Sequence, residues 1–222
     1  MRFKFQIMIF RTPFFLPWLS SDLVWRIPTS EKKIYLTFDD GPMPDVTEFV
    51  LEELIKVKAK ATFFCIGDNV RKYPLVFKKV LEQGHSIGNH TFNHLKGWNY
   101  SMDDYSKNVQ LCEEEFSNNG YPDSPKAQKL FRPPYGRIKR GQIRALSNYK
   151  IIMWDVLTHD YSKNISPERC LKGSIAAVRP GSVIVFHDSV KAEKNMKYTL
   201  PRLLDHFSNS GFTFACISTN RD

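Results

Sequence analysis

The sequence predicts one α/β domain built on parallel strands, and three observations lead to this fold class. Strand-like and helix-like segments alternate from about residue 33 onward, which is typical of parallel strands joined by crossover helices. The 222 residues are 42% hydrophobic and 14% aromatic, enough for a packed core. Counting the segments gives about seven strands, which fits an irregular barrel or an open sheet.

Short apolar segments that stop at polar or turn-forming residues predict the strands. The first is rich in β-branched and aromatic residues and stops at Gly41-Pro42. The predicted strands are 34–38, 61–66, 86–88, 129–131, 150–154, 182–186 and 212–217.

Apolar residues at helical spacing predict helices between these strands. Gly84 suits the C-terminal cap of one helix and Ser166 the N-cap of another. The predicted helices are 46–57, 71–83, 102–118, 138–148, 167–178 and 200–209. No solenoid repeat or Gly/Ser-rich linker divides the chain, so we expect one domain over residues 31–222.

The first 30 residues allow two interpretations. Arg2 and Lys4 before an apolar run resemble a secretory signal, but Arg11 and two prolines interrupt the run and no clear cleavage site follows. No run reaches the ~20 apolar residues of a membrane span. We expect residues 1–30 to pack on the domain, with a membrane anchor or membrane-surface contact as the alternative. The compartment stays open between cell envelope and cytoplasm.

Charge and cysteine usage exclude some classes of function. The net charge is +9, which can favour anionic partners, but no aromatic-basic interleaving or nucleic-acid motif is present, so nucleic acid is not an expected partner. Four cysteines are scattered without a close pair, which argues against a thiolate metal site. Buried free thiols are expected at Cys65 and Cys216, with two disulfide bridges as the alternative. We expect the chain to act as a monomer.

Unusual polar residues follow the predicted strands, where chemistry gathers in parallel α/β folds. The carboxyl ends of parallel strands share one face, so side chains that follow different strands should meet there. The residues concerned are Asp39, Asp40, His90, His94, 132–136, Asp160, His187 and Asp188.

Two short patterns among these residues indicate a metal. On a helical turn His90 and His94 would lie on one face, and two imidazoles with a carboxylate form a common open site for Zn²⁺. A hydrogen-bonded histidine pair is the alternative, and His85 is expected to be structural. Neighbours on an extended segment point in opposite directions, so one of Asp39 and Asp40 could face a metal and the other a bound water.

Taken together, the motifs resemble one family. Thr-Phe-Asp-Asp-Gly-Pro at 37–42, His-x-x-x-His at 90–94, Arg-Pro-Pro-Tyr-Gly at 132–136, Asp-Tyr at 160–161 and Val-Phe-His-Asp at 185–188 resemble the polysaccharide deacetylases of the NodB-homology type, carbohydrate esterase family 4. The resemblance covers roughly residues 33–217. It implies a distorted (β/α) barrel of about seven parallel strands and one divalent metal ion, Zn²⁺ first, with Co²⁺, Ni²⁺ or Mn²⁺ as alternatives.

The resemblance also implies a role for each motif residue. Asp39 would be the general base, paired with Arg132, and His187 the general acid, oriented by Asp160. The implied metal ligands are Asp40, His90 and His94, and the implied substrate-binding residues are Pro134, Tyr135, Tyr161 and Val185. The Tyr135 N–H would face the developing oxyanion. The chain departs from the family pattern in Tyr161, where tryptophan is usual, in Leu157, where aspartate is common, and in its neighbour His159.

The implied activity is hydrolysis of N-acetyl groups on N-acetylglucosamine-type residues of peptidoglycan or chitooligosaccharide, with release of acetate. Basic residues near the expected site mouth suggest an anionic cell-envelope glycan, with ordinary helix-surface charge as the equal alternative; they are Arg137, Lys139, Arg140, Lys191 and Lys194. An O-deacetylase acting on acetylated xylan and a catalytically inactive glycan-binding protein are the alternatives.

Overall fold

The computed structural model describes residues 8–122 and 128–218, which form a curled parallel sheet covered by helices. The strands are β1 (Leu23–Val24), β2 (Lys33–Asp39), β3 (Thr62–Cys65), β4 (Ser86–Asn89), β5 (Lys129–Phe131), β6 (Tyr149–Ile152), β7 (Val156–Leu157), β8 (Val183–His187) and β9 (Thr213–Phe214). The helices are α1 (Val46–Lys56), α2 (Gly67–Lys72), α3 (Pro74–Glu82), α4 (Met102–Asn118), α5 (Arg140–Ala145), α6 (Pro167–Ala177) and α7 (Glu193–Asn209).

The strand order confirms the predicted distorted parallel barrel. Strands run β1-β6-β5-β4-β3-β2-β8-β7, and β9 pairs with the start of β2. Every ladder between these strands is parallel. Each predicted strand is present, and β1 and β7 add to the predicted set. Both have two residues, too few for a period-two pattern to be visible in the sequence.

The two faces of β2 show how the core is divided. Side chains alternate along a strand, so Ile34, Leu36 and Phe38 join the core between the sheet and the helices. Tyr35 instead packs inside the barrel, against a smaller apolar cluster. Thr37 and Asp39 follow Tyr35 on this inner face. The alternation therefore delivers a carboxylate to the end of the barrel.

Two predicted helices differ from the structure because of proline. The helix predicted at 71–83 is wrong as one element, since Tyr73 has non-helical backbone angles between α2 and α3. Pro74, which begins α3, disfavours a helical conformation of the residue before it. Helix α7 begins seven residues before the predicted start at 200 and contains Pro201. Burial of its apolar face offsets the cost of the internal proline.

The N-terminal segment packs along the open side of the sheet. The Leu157 N–H donates to the Phe10 carbonyl at 2.9 Å, and the Thr12 N–H donates to the Asp155 carbonyl at 2.8 Å. Strand β1 extends the other edge by pairing with β6. The domain boundary at residue 30 stays a prediction, and the signal-like residues 2 and 4 lie outside the described residues.

Two further features concern membrane and thiol chemistry. In the part of the chain that is described, no helix combines the length and apolar character needed to cross a membrane. All four cysteines are free thiols, so the disulfide alternative is not realised; Cys65, Cys112 and Cys170 are buried, and Cys216 is half-buried.

Candidate active site

The strand ends meet at a cleft of about 460 Å³. Most of the residues predicted for the site line this cleft, whereas Arg132 and Asp160 lie behind it, bonded to lining residues. Pro134 is buried and does not line the cleft, and the preceding Pro133 takes that position. The lining consists of Asp39, Asp40, His90, His94, Pro133, Tyr135, Gly136, Trp154, Leu157, Tyr161, Val185, His187 and Lys191.

Asp40, His90 and His94 converge at the floor of the cleft. The Asp40 Oδ1 lies 3.2 Å from His94 Nε2 and 3.7 Å from His90 Nε2. One donor atom from each side chain falls within 4.8 Å of the others. Within residues 8–122 and 128–218, no other group of His, Cys, Asp and Glu has this spacing.

The backbone at Asp40 brings this carboxylate into the cleft in a way that strand alternation does not explain. Asp40 has φ of 81°, so the expectation of two extended neighbours pointing in opposite directions is wrong here. The Asn69 side chain donates to the Asp40 carbonyl at 2.7 Å, and Asp188 accepts from the Gly41 N–H at 3.0 Å. A Cβ on Gly41 would lie 2.0 Å from an Asp188 oxygen, so only glycine allows this approach.

The His-x-x-x-His segment is an irregular loop, and the expected helical turn is wrong. Thr91 and His94 both have positive φ, at 62° and 55°. Asn108 on α4 braces the loop through a reciprocal pair of bonds with Asn93, at 3.0 and 2.8 Å. The two imidazole centroids still lie 5.0 Å apart, so tertiary contacts achieve the proximity that the spacing suggested.

The protonation of His90 and Asp40 suits a divalent metal. A carbonyl can only accept, so the 2.7 Å contact with the Arg132 carbonyl puts the proton on His90 Nδ1 and leaves the Nε2 lone pair for a metal. Burial lowers the pKa of His90 to about 4, so the ring is neutral at pH 7. Burial raises the pKa of Asp40, but the three histidines around it hold it well below its usual range. Two neutral imidazoles and one carboxylate are a common donor set for zinc-like ions.

Arg132 anchors Asp39 from inside the barrel. Its side chain is fully buried, and Nη1 donates to the Asp39 carboxylate at 2.6 Å and to the Thr37 hydroxyl at 2.7 Å. The remaining nitrogens donate to the carbonyls of Ile152 and Met153 at 3.1 and 2.8 Å. A buried charge needs this many partners to offset its desolvation, and the result is a rigidly placed carboxylate.

His187, which pairs with Asp39 across the β2–β8 ladder, is held by Asp160. The carboxylate lies 2.7 Å from His187 Nδ1 and accepts from the His187 backbone N–H at 2.8 Å. Burial lowers the pKa of His187, but the charge and hydrogen bond of Asp160 outweigh it and raise this pKa to about 9. His187 is therefore a cationic proton donor at neutral pH, and Tyr161 packs edge-on against it at 4.9 Å.

Trp154 escaped the sequence analysis as a site residue, and Gly136 was predicted only as part of the 132–136 motif. Trp154 and Gly136 face each other, and a Cβ on Gly136 would lie 2.6 Å from the Trp154 ring. Only their position after a strand end could have identified these two residues in the sequence, because tryptophan and glycine do not by themselves indicate catalytic chemistry. His159 turns away: its Nε2 lies 3.0 Å from the Ile9 carbonyl, so it contacts the N-terminal segment. His85 accepts from the Ala61 N–H at 3.2 Å, as a structural histidine does.

Comparisons with known proteins agree on one family. The family model described as polysaccharide deacetylase matches residues 26–154. A peptidoglycan-N-acetylglucosamine deacetylase from Bacillus cereus is 33% identical over 88% of this chain and 91% of its own length. A chitooligosaccharide deacetylase from Azorhizobium caulinodans is 32% identical over 73% of this chain and 77% of its own. Other relatives are longer, and the chain spans 58% of one and 41% of another.

A solved structure gives the same result for the fold. The crystal structure of the Bc1960 peptidoglycan N-acetylglucosamine deacetylase, in complex with a hydroxamate-type benzamide, superposes with a TM-score of 0.83 at 29% identity. The match covers 95% of this chain and all of that one.

Proposed function

Because the chain belongs to the polysaccharide deacetylase family, we propose that it is a metal-dependent hydrolase acting on N-acetylglucosamine-type residues of peptidoglycan or a chitooligosaccharide, with release of acetate. The family and enzyme class predicted from the sequence are confirmed by the comparisons. The relatives deacetylate, by their names, peptidoglycan and chitooligosaccharide, and this supports an amide of an amino sugar as the substrate.

One observation carries the proposal: a carboxylate, a cationic imidazole and a three-donor cluster line the same cleft. Asp40, His90 and His94 are the residues we propose to hold one divalent ion. When bound, such an ion polarises a carbonyl and makes a water more acidic. The donor set favours Zn²⁺, with Co²⁺, Ni²⁺ and Mn²⁺ as alternatives that metal analysis of the purified protein separates.

The protein's own groups supply the proton transfers. Asp39, positioned by Arg132, is proposed to take a proton from a water molecule while the oxygen of that water attacks the acetyl carbonyl carbon. The Tyr135 N–H is proposed to donate to the oxyanion that develops, and Val185 to line the acetyl pocket. His187 then gives its proton to the sugar nitrogen as the carbon–nitrogen bond breaks, leaving acetate and a free amine.

The state of His187 favours an amide over an ester substrate. An amine leaves readily only when its nitrogen is protonated, whereas an alkoxide depends less on a strong acid. A pKa of about 9 keeps His187 protonated at neutral pH, as amide hydrolysis requires. We therefore place N-deacetylation ahead of the O-deacetylase alternative.

An acetate-release screen on metal-loaded protein tests the proposal. The panel comprises a chitooligosaccharide, peptidoglycan and acetylxylan, and we expect release from at least one of the first two. His187→Ala should retain the metal but nearly abolish turnover. Release from acetylxylan alone would favour the O-deacetylase, and glycan binding without any release would favour the inactive glycan-binding protein.

A further inference from the structure

A second groove of about 580 Å³ adjoins the cleft and shares two walls with it, His94 and Tyr135. We call it the Arg137 groove. Its lining consists of Asn93, His94, Leu95, Lys96, Asn99, Tyr100, Tyr135 and Arg137. A polymer seated in the cleft can therefore continue past Tyr135 into this groove.

The Arg137 groove is formed by the loops after β4 and β5, and these loops are tied together. The Gly97 N–H donates to the Arg137 carbonyl at 3.1 Å, and Trp98 Nε1 donates to the Ile138 carbonyl at 3.3 Å. A Cβ on Gly97 would lie 2.5 Å from the Arg137 carbonyl oxygen, so the loops are in close contact. A groove held in this way is preorganised, which lowers the entropic cost of binding.

The charge of the Arg137 groove is positive and not neutralised. Lys96 and Arg137 line it, and its lining contains no acid. Among the described residues no carboxylate forms an ion pair with either cation. The Arg137 guanidinium lies 4.2 Å above the ring of Trp98, which orients it. Such a planar, oriented cation is suited to a carboxylate.

A third exposed cation lies on a different wall of the cleft. Lys191 lines the cleft and lies 5.2 Å from the centre of the Tyr161 ring, and it too has no carboxylate partner among the residues described. The other basic residues expected near the mouth, Lys139, Arg140 and Lys194, line neither cavity. Positive charge is thus present at separate positions around the cleft.

We propose that the Arg137 groove binds a carboxylate-bearing sugar next to the residue that loses its acetyl group. This inference rests on the proposed deacetylase function and narrows its substrate to an anionic amino-sugar polymer. Lys96 and Arg137 bind the carboxylate, and Lys191 favours a second negative group elsewhere along the glycan. A neutral oligomer fits the same cavities but leaves these cations without a partner.

The test compares two substrates and a matched control variant. The double variant Lys96→Gln, Arg137→Gln is assayed on a neutral N-acetylglucosamine oligomer and on a peptidoglycan fragment of similar length that bears sugar carboxylates. We expect kcat/KM on the anionic fragment to fall about 10-fold, through KM, and to fall far less on the neutral oligomer. Arg202→Gln is the control, since Arg202 also stacks on an aromatic ring, 4.0 Å from Tyr198, but lines neither cavity.

Three outcomes would overturn the groove assignment. Equal losses of kcat/KM on both substrates would show that the groove does not distinguish charged from neutral sugars. If Arg202→Gln were as selective as the double variant, the selectivity would not come from the groove. The third outcome is equal affinity of the anionic fragment for wild type and double variant, measured by titration calorimetry, which needs no turnover. Because binding is measured separately, absence of acetate release refutes the proposed function without deciding the groove. Unchanged circular-dichroism melting curves establish that the variants fold.

Discussion

Asp160→Asn removes the negative charge that faces His187, and we predict that it moves the alkaline limit of activity to lower pH. The two bonds between these residues, at 2.7 and 2.8 Å, involve both carboxylate oxygens. Burial alone would lower the pKa of His187 below 6.5, whereas the folded value is about 9. The difference from the ordinary value corresponds to roughly 3 kcal/mol. The contribution of this interaction to the free energy of unfolding is complete below pH 6.5 and is lost as the pH rises through about 9.

The size of the effect follows from the fraction of His187 that stays protonated. Asparagine keeps the burial but not the charge, so the pKa of His187 should return to about 6.5 or below. At pH 8 about nine tenths of the imidazole is protonated in wild type and about 3% in the variant. We therefore expect kcat/KM to fall at least about 30-fold at pH 8, and only a few-fold at pH 6.

The assay is acetate release from metal-loaded protein between pH 5.5 and 9.5. Asp155→Asn is the matched control, because Asp155 is also buried and paired, with Arg179 at 2.9 Å, but its carboxylate bonds Arg179 and Ser182 rather than His187. The control should keep the wild-type midpoint of the alkaline limb. If Asp160→Asn keeps that midpoint as well, Asp160 does not set the protonation of His187, and the reasoning is refuted.

Three other substitutions test separate parts of the site, and a fourth tests packing against Phe64. Asp39→Asn should keep the metal but slow single-turnover acetate release by about 10²–10⁴-fold; a near-normal rate would exclude a general base here. His94→Ala removes one of three donors, so metal content by mass spectrometry should drop well below wild type, and full occupancy would contradict the ligand assignment. Arg132→Met leaves the Asp39 carboxylate buried without its partner, so the free energy of unfolding in urea should fall by about 3–5 kcal/mol; a loss under about 1 kcal/mol would count against the buried pair. Gly88→Ala places a Cβ 2.4 Å from the Phe64 ring, and urea unfolding should show a loss of about 1–3 kcal/mol, with no loss if the ring simply moves aside.

Local pattern allowed much of the fold to be predicted. The strand that ends at Asp39 has both the composition and the stop signal of a strand, and the sequence analysis placed it within one residue at each end. The short β1 and β7 carry no such pattern, and they form because neighbouring edges offer backbone partners. Helix α7 runs through Pro201 because its buried face outweighs a local breaker, which no local rule foresees.

The sequence by itself determined which residue types follow which strands, because strand and helix signals are local and the chain order is given. That was enough for Asp39, Asp40, His90, His94 and His187 to be named as one cluster. Tertiary structure alone decided their geometry, since the Arg132–Asp39 contact joins positions 93 residues apart. Three features depend on how loops from different strands pack against one another. They are the positive φ at Asp40 and His94, the presence of Pro133 instead of Pro134 in the cleft wall, and the groove beside Tyr135. Such contacts are long-range, and only the folded chain selects among them.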